Sequence, residues 1–163
     1  MPNDKLLFEQ VAQPSQEHSS PEDSALTLTG LAPLWKPRHP STSMREMAGL
    51  PILFWLIAQL RPALTVQIGL GQGTSFLGLC QAIEQAQTGG LLLSLFLDKE
   101  TLFPDQVEQY DSHYSQIASF GLAAEVPGEL EDHPIQLLVL QQKFDNSLCD
   151  MWLPRLAENA IIF

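Results

Sequence analysis

Residues Leu64–Leu79 read LTVQIGLGQGTSFLGL, and the fold follows from how this stretch is divided. Thr65-Val66-Gln67-Ile68 is a buried strand by its apolar character and length. Gly69-Leu70-Gly71-Gln72-Gly73 is a glycine turn, and Thr74 and Ser75 open an apolar helix that continues from Phe76. Glycines at alternate positions let the backbone turn sharply and keep side chains out of the space above the turn. Hydroxyl residues directly after them suit a helix N-terminus, whose unpaired N–H groups face whatever the turn holds. The stretch reads as the first strand–turn–helix of an α/β domain that binds a nucleotide or cofactor. A glycine turn that only joins strand to helix is the competing reading.

The spacing narrows the ligand. A dinucleotide fingerprint is G-x-G-x-x-G, whereas here the third glycine comes one residue early and Thr74 holds the expected place. G-x-G-x-G after a strand is the form seen in S-adenosylmethionine (SAM) binders. Gly69, Gly71, Gly73 and Thr74 are therefore the candidate cofactor contacts. Outward along the chain, Phe76–Gln87 makes a crossover helix stopped by Thr88-Gly89-Gly90. Leu91–Leu97, LLLSLFL, has the continuous apolarity of a parallel strand buried on both faces. It ends at Asp98, where an open α/β sheet puts its ligand chemistry. Asp98 reads either as an acceptor for both ribose hydroxyls of an adenosine or as a solvated carboxylate capping the next turn.

Upstream, Met44–Leu60 is helical, with Ser43 capping a first turn and Pro51 suited to start a second helix. It is apolar on nearly every face, so it should be covered on both sides. Residues 1–45, rich in Pro, Ser, Gln and acids, are expected to form an arm over the domain at 46–163, docking in part through Leu31–Trp35. Downstream, a helix is predicted over roughly 106–120, from Val107, Tyr110, Tyr114, Ile117 and Phe120, and Gly121 should end it. A third strand is expected at Leu122–Val126 and a fourth at Ile135–Leu140. A helix from Asp145 to Pro154 and a fifth strand at Ala160–Phe163 follow. His113 reads as a surface or satisfied residue. This alternation predicts a Rossmann-like, doubly wound parallel sheet in the order 3-2-1-4-5, with the ligand crevice between strands 1 and 4.

Composition bounds the partners. The 163 residues carry a formal charge of −11, from 8 basic against 19 acidic side chains. A nucleic-acid partner needs a basic face, so it is excluded, and an anionic membrane surface is disfavoured. The longest apolar run, Pro51–Leu60, is far short of the roughly 20 residues of a membrane span. Cys80 and Cys149 lack the Cys/His spacing of a metal site and read as buried free thiols in a reduced compartment. A cytoplasmic protein is expected.

Several segments together carry a resemblance. They are PLWKPRH (33–39), LPILFWLIAQLRP (50–62), VQIGLGQGTSFLGLCQAIE (66–84), Asp98, HYSQIASF (113–120), IQLLVL (135–140) and MWLPRLAENAIIF (151–163). In this order they resemble the class I SAM-dependent methyltransferase-like domains that accompany glycosyltransferases in bacterial surface-polysaccharide clusters. The resemblance implies SAM as cofactor, with its methionine end over Gly69–Gly73 and held by the residue at position 67, here Gln67, and a sugar or other small acceptor. The family usually carries Glu or Asp where this chain has Gln67, and an acid at the end of strand 4 where it has Gln141-Gln142-Lys143. The active site is thus a degenerate one. The alternative is a catalytically inactive domain that docks a partner such as a glycosyltransferase. A nucleotide-sugar-binding fragment is a weaker reading, lacking an Asp-x-Asp motif. The resemblance further implies that strands 6 and 7 are missing after Phe163, so self-association as a homodimer through the strand-5 edge is expected.

Overall fold

The computed structural model describes residues 30–41, 44–97, 114–124, 130, 133–141 and 146–163, and the expected parallel sheet is present in it. Its strands are β1 (Leu64–Ile68), β2 (Leu91–Phe96), β3 (Ala118–Leu122), β4 (Ile135–Leu140) and β5 (Leu156–Ile162). They lie side by side in the order β3-β2-β1-β4-β5, and every pairing is parallel. The helices are α1 (Met44–Leu60), α2 (Thr74–Gln85) and α3 (Asn146–Trp152). All of β1 is buried, and Val66 pairs with Leu93 on one side and Leu138 on the other.

Alternation along the strands divides the core in two. Leu64, Val66 and Ile68 share one cluster with Leu93, Leu95, Leu138 and Trp152. On the other face Leu92, Phe96, Leu137 and Val139 lie under Leu50, Leu53, Phe54 and Ile57 of α1 and Phe76, Leu79, Cys80 and Ile83 of α2. Burying each large apolar side chain contributes roughly 1.5–3 kcal/mol. Gly78 sets how closely α1 and α2 approach, since a Cβ there would lie 2.4 Å from Leu50 Cδ2.

Four local expectations are corrected. α1 runs unbroken through Pro51; packing of its buried face outweighs the hydrogen bond that a proline removes. Nor is it covered all round: Ala32 and Trp35 pack over it, with Trp35 against Phe54 at 5.9 Å, but Ile52 and Trp55 stay exposed. The predicted helix over 106–120 ends too late, because Ala118–Phe120 already belong to β3. β3 therefore begins four residues ahead of the expected strand at Leu122–Val126. Ala118, Phe120 and Leu122 alternate onto the α1/α2 cluster, and Phe120 sits between Phe76 and Phe96 at 5.0 and 5.6 Å. Phe120 also lies three residues after Ile117 and six after Tyr114, which mimics a helical stripe. The rest of that helix, with His113, lies outside the described residues.

The fourth correction concerns β5, which starts at Leu156 rather than Ala160. Ile135 pairs with Leu156 but Leu137 with Ile161, so the intervening residues bulge. Glu158 and Asn159 are exposed there, as polar residues on an edge strand are. Before β5, α3 passes into a 3-10 turn at Leu153–Arg155. Trp152 is fully buried, and its indole N–H donates to the Ala123 carbonyl at 3.0 Å. No helix among the described residues is long and apolar enough to cross a membrane.

Candidate functional site: the glycine loop between β1 and α2

The loop leaves β1 while still tied to the sheet. The Gly69 N–H donates to the Leu95 carbonyl at 2.8 Å, and the Gln141 N–H donates to the Ile68 carbonyl at 3.0 Å. Gly69 and Gln141 thus flank the crevice between β1 and β4, where the winding direction of the sheet reverses. Gly69, Gly71 and Gly73 have φ of 83°, 56° and 82°. That left-handed region costs an L side chain roughly 1–2 kcal/mol, which is why the chain uses glycine at these points. Gly73 is the N-cap residue of α2. Thr74 and Ser75 are buried in the first turn, yet no side chain caps the helix.

The Thr74 hydroxyl is turned elsewhere. It donates to Glu46 Oε2 at 2.5 Å, while the Gln72 N–H donates to Glu46 Oε1 at 3.0 Å. A carboxylate from the first turn of α1 therefore holds two donors of the loop at once. Its approach depends on Gly71, where a Cβ would stand 2.9 Å from Glu46 Oε1. Sequence reasoning missed Glu46. An acid in a first helical turn ordinarily reads as a complement to the helix dipole, and nothing local marks it as a partner of residues 72 and 74.

Below the loop, Gln67 is fully buried. Its Nε2 donates to the Gly69 carbonyl at 3.1 Å, which fixes the amide against the start of the loop. Its Oε1 has no hydrogen-bond partner among the described residues, and neither has Oγ of Ser94. Gln67 and Ser94 are direct neighbours across β1 and β2. A buried acceptor without a partner costs about 1–3 kcal/mol, so two side by side point to a missing donor. Ser94 was hidden in the sequence inside an apolar run.

Residues 33–41 form a strap beside the loop. Gln81, buried in α2, accepts the Arg38 N–H with Oε1 at 2.8 Å and donates to the Lys36 carbonyl from Nε2 at 2.9 Å. The Arg38 guanidinium pairs with Glu84, which holds its pKa above the ordinary value. At the end of the strap, the Ser41 hydroxyl meets Gln72 Oε1 at 3.3 Å. Cys80 is buried on the inner face of α2, and burial pushes its thiol well up. This thiol is a core group. Cys149 is only half-buried, so the expectation of two buried thiols holds for one.

Of the predicted contacts, Gln67, Gly69, Gly71, Gly73 and Thr74 come together along one loop, while Asp98 lies outside the described residues. Neither a protein-family model nor a curated protein matches the sequence. Solved structures do match its shape. An O-methyltransferase from Streptomyces achromogenes involved in tomaymycin synthesis, in complex with SAM, is 15% identical with a TM-score of 0.53. The match covers 87% of this chain and 65% of that protein. A methyltransferase from Podospora anserina, bound to S-adenosylhomocysteine (SAH), is 15% identical with a TM-score of 0.54, covering 99% of this chain and 70% of its own. One from Geobacter sulfurreducens is 14% identical with a TM-score of 0.52, covering 95% and 76%. What these proteins share with this chain is architecture: it is built on the Rossmann-like α/β fold of methyltransferases.

Proposed function

We propose that the chain binds SAM at the glycine loop and transfers its methyl group to a sugar or another small acceptor. One observation carries this reading: buried acceptors that lack partners among the described residues, Gln67 Oε1 and Ser94 Oγ, lie on adjacent strands at the foot of the loop. Such acceptors suit the ammonium at the methionine end of SAM. Gln67, Gly69, Gly71, Gly73 and Thr74 would hold that end, and Asp98, following β2, would accept the ribose hydroxyls. SAM supplies a methyl group on a sulfonium, open to attack by a nucleophile. The chain contributes alignment, which methyl transfer chiefly needs. The glycines of its loop let backbone approach the ligand. The methyltransferase architecture supports the same reading, as does the crevice at the strand-order reversal.

The segments that resemble glycosyltransferase-associated domains support a setting in polysaccharide biosynthesis in the cytoplasm, with an acidic arm over residues 1–45. Self-association through the β5 edge belongs to the same proposal. A second reading, an inactive docking module for a partner such as a glycosyltransferase, is favoured by the neutral Gln67 and by loop donors already engaged by Glu46.

Calorimetric titration with SAM and SAH separates the two. Binding of both is expected, with Asp98→Ala weakening it by roughly 1–3 kcal/mol and Gln67→Glu strengthening it. A folded chain that takes up neither ligand sinks the SAM reading and leaves the docking module. Asp98→Ala binding as well as the parent would remove Asp98 from the site.

A further inference from the structure

Two of the donors that a glycine loop offers to a ligand are engaged here from within the chain. Both oxygens of Glu46 are used, one by the Gln72 N–H and one by the Thr74 hydroxyl. The carboxylate reaches them over Gly71, in space that any Cβ would contest. An incoming phosphate would need the same donors and would meet a negative charge at contact distance. At the other end of the loop, Gln67 Oε1 is fully buried and without a partner among the described residues, its amide fixed to Gly69. That orphaned acceptor is a separate observation. It asks for a donor, where a helix N-terminus alone would ask for an anion.

We infer that Glu46 determines the specificity of the loop. Its carboxylate supplies from α1 the negative charge that position 67 lacks, so the loop selects a ligand that presents an ammonium group to it. It rejects adenosine ligands that carry a pyrophosphate in the same position. This rests on the SAM reading for the identity of the preferred ligand, though the exclusion of phosphate groups stands on Glu46 itself. Glu46 is a specificity-determining residue and takes no part in bond making.

The test compares the parent, Glu46→Gln and Glu46→Asp in calorimetric titrations with SAH and with ADP-ribose, which share an adenosine and differ in the group that meets the loop. Glu46→Gln is nearly isosteric, and its side-chain oxygen can still accept the Gln72 N–H, so the loop geometry survives while the charge goes. The parent should bind SAH and discriminate against ADP-ribose. Glu46→Gln should lose about fivefold or more in SAH affinity and gain measurably toward ADP-ribose. Glu46→Asp, which keeps the charge, should keep the preference. An unchanged ratio of the two affinities in a folded Glu46→Gln variant overturns the proposal. Should that variant fail to fold, the parent decides: charge-based selection weakens as salt rises, and a SAH to ADP-ribose ratio that ignores salt overturns it equally. If the parent binds neither SAM nor SAH, the SAM reading falls, and inorganic pyrophosphate then judges Glu46 alone. Pyrophosphate uptake by Glu46→Gln but not by the parent upholds phosphate exclusion, and any other pattern rejects it.

Discussion

Cys80 is without solvent exposure on the inner face of α2, and burial holds its thiol protonated well beyond the ordinary pKa of 9.0. Burial pushes the Tyr114 phenol the same way, against a smaller lowering by Arg38. In the unfolded chain the thiol ionises near its ordinary value, so the unfolded state releases a proton that the folded state keeps. The stabilisation is fully present below pH 9 and is lost as pH rises through the alkaline range, at up to about 1.4 kcal/mol per pH unit for one such group. Urea unfolding midpoints should therefore fall steadily from pH 8 towards pH 10, and less steeply in Cys80→Ala. A flat profile would show that the thiol is not held protonated by burial. At this scale the sequence is legible where backbone geometry dictates a residue type. The left-handed turns at 69, 71 and 73 admit glycine almost alone, so those positions announce themselves. Glu46 does not, because its role depends on residues 26 and 28 positions away, and no local pattern encodes that distance.

The strap over 33–41 and helix α2 are joined through one side chain. Gln81 reads the backbone on both sides of Pro37, accepting from Arg38 and donating to Lys36, and each such partly buried hydrogen bond matters most when one partner is removed. The neighbouring Arg38–Glu84 ion pair is partly exposed, and pairs of that kind contribute little. Gln81→Ala should accordingly loosen the strap by about 1–3 kcal/mol while the sheet remains folded. Trypsin cleavage after Arg38, followed by mass spectrometry, should then run about tenfold faster or more than in the parent. Equal rates would mean that the strap is held by Trp35 and Ala32 instead. Among elements, β1, β2 and β4 were legible because strands buried on both faces are continuously apolar. β3 and β5 were not. β3 is only half-buried along most of its length and its Phe120 completes a helical spacing, and β5 hides Glu158 and Asn159 in a bulge that reads as a loop.

As a whole molecule the sheet is asymmetric at its margins. β5 has β4 on one side and, among the described residues, no strand on the other, while Leu153, Ile162 and Phe163 are exposed nearby. Unpaired edge groups beside apolar side chains are a template for pairing, and light scattering should find a two-fold dimer of the 163-residue chain. A chain that stays monomeric at high concentration contradicts this expectation, and a truncation lacking residues 1–40 that dimerises where the full chain does not would identify the arm as the cover. The centre of the sheet carries a different consequence. Thr65 meets Leu92 on one side and Leu137 on the other, and the second partner lies more than twice as far along the chain as the first. Loop closure alone makes that seam roughly 1 kcal/mol costlier to bring together. The crevice is cut along this seam, so it is the junction that chain entropy pulls apart most strongly, and a molecule seated across the glycine loop and Gln141 would act as a clasp on it.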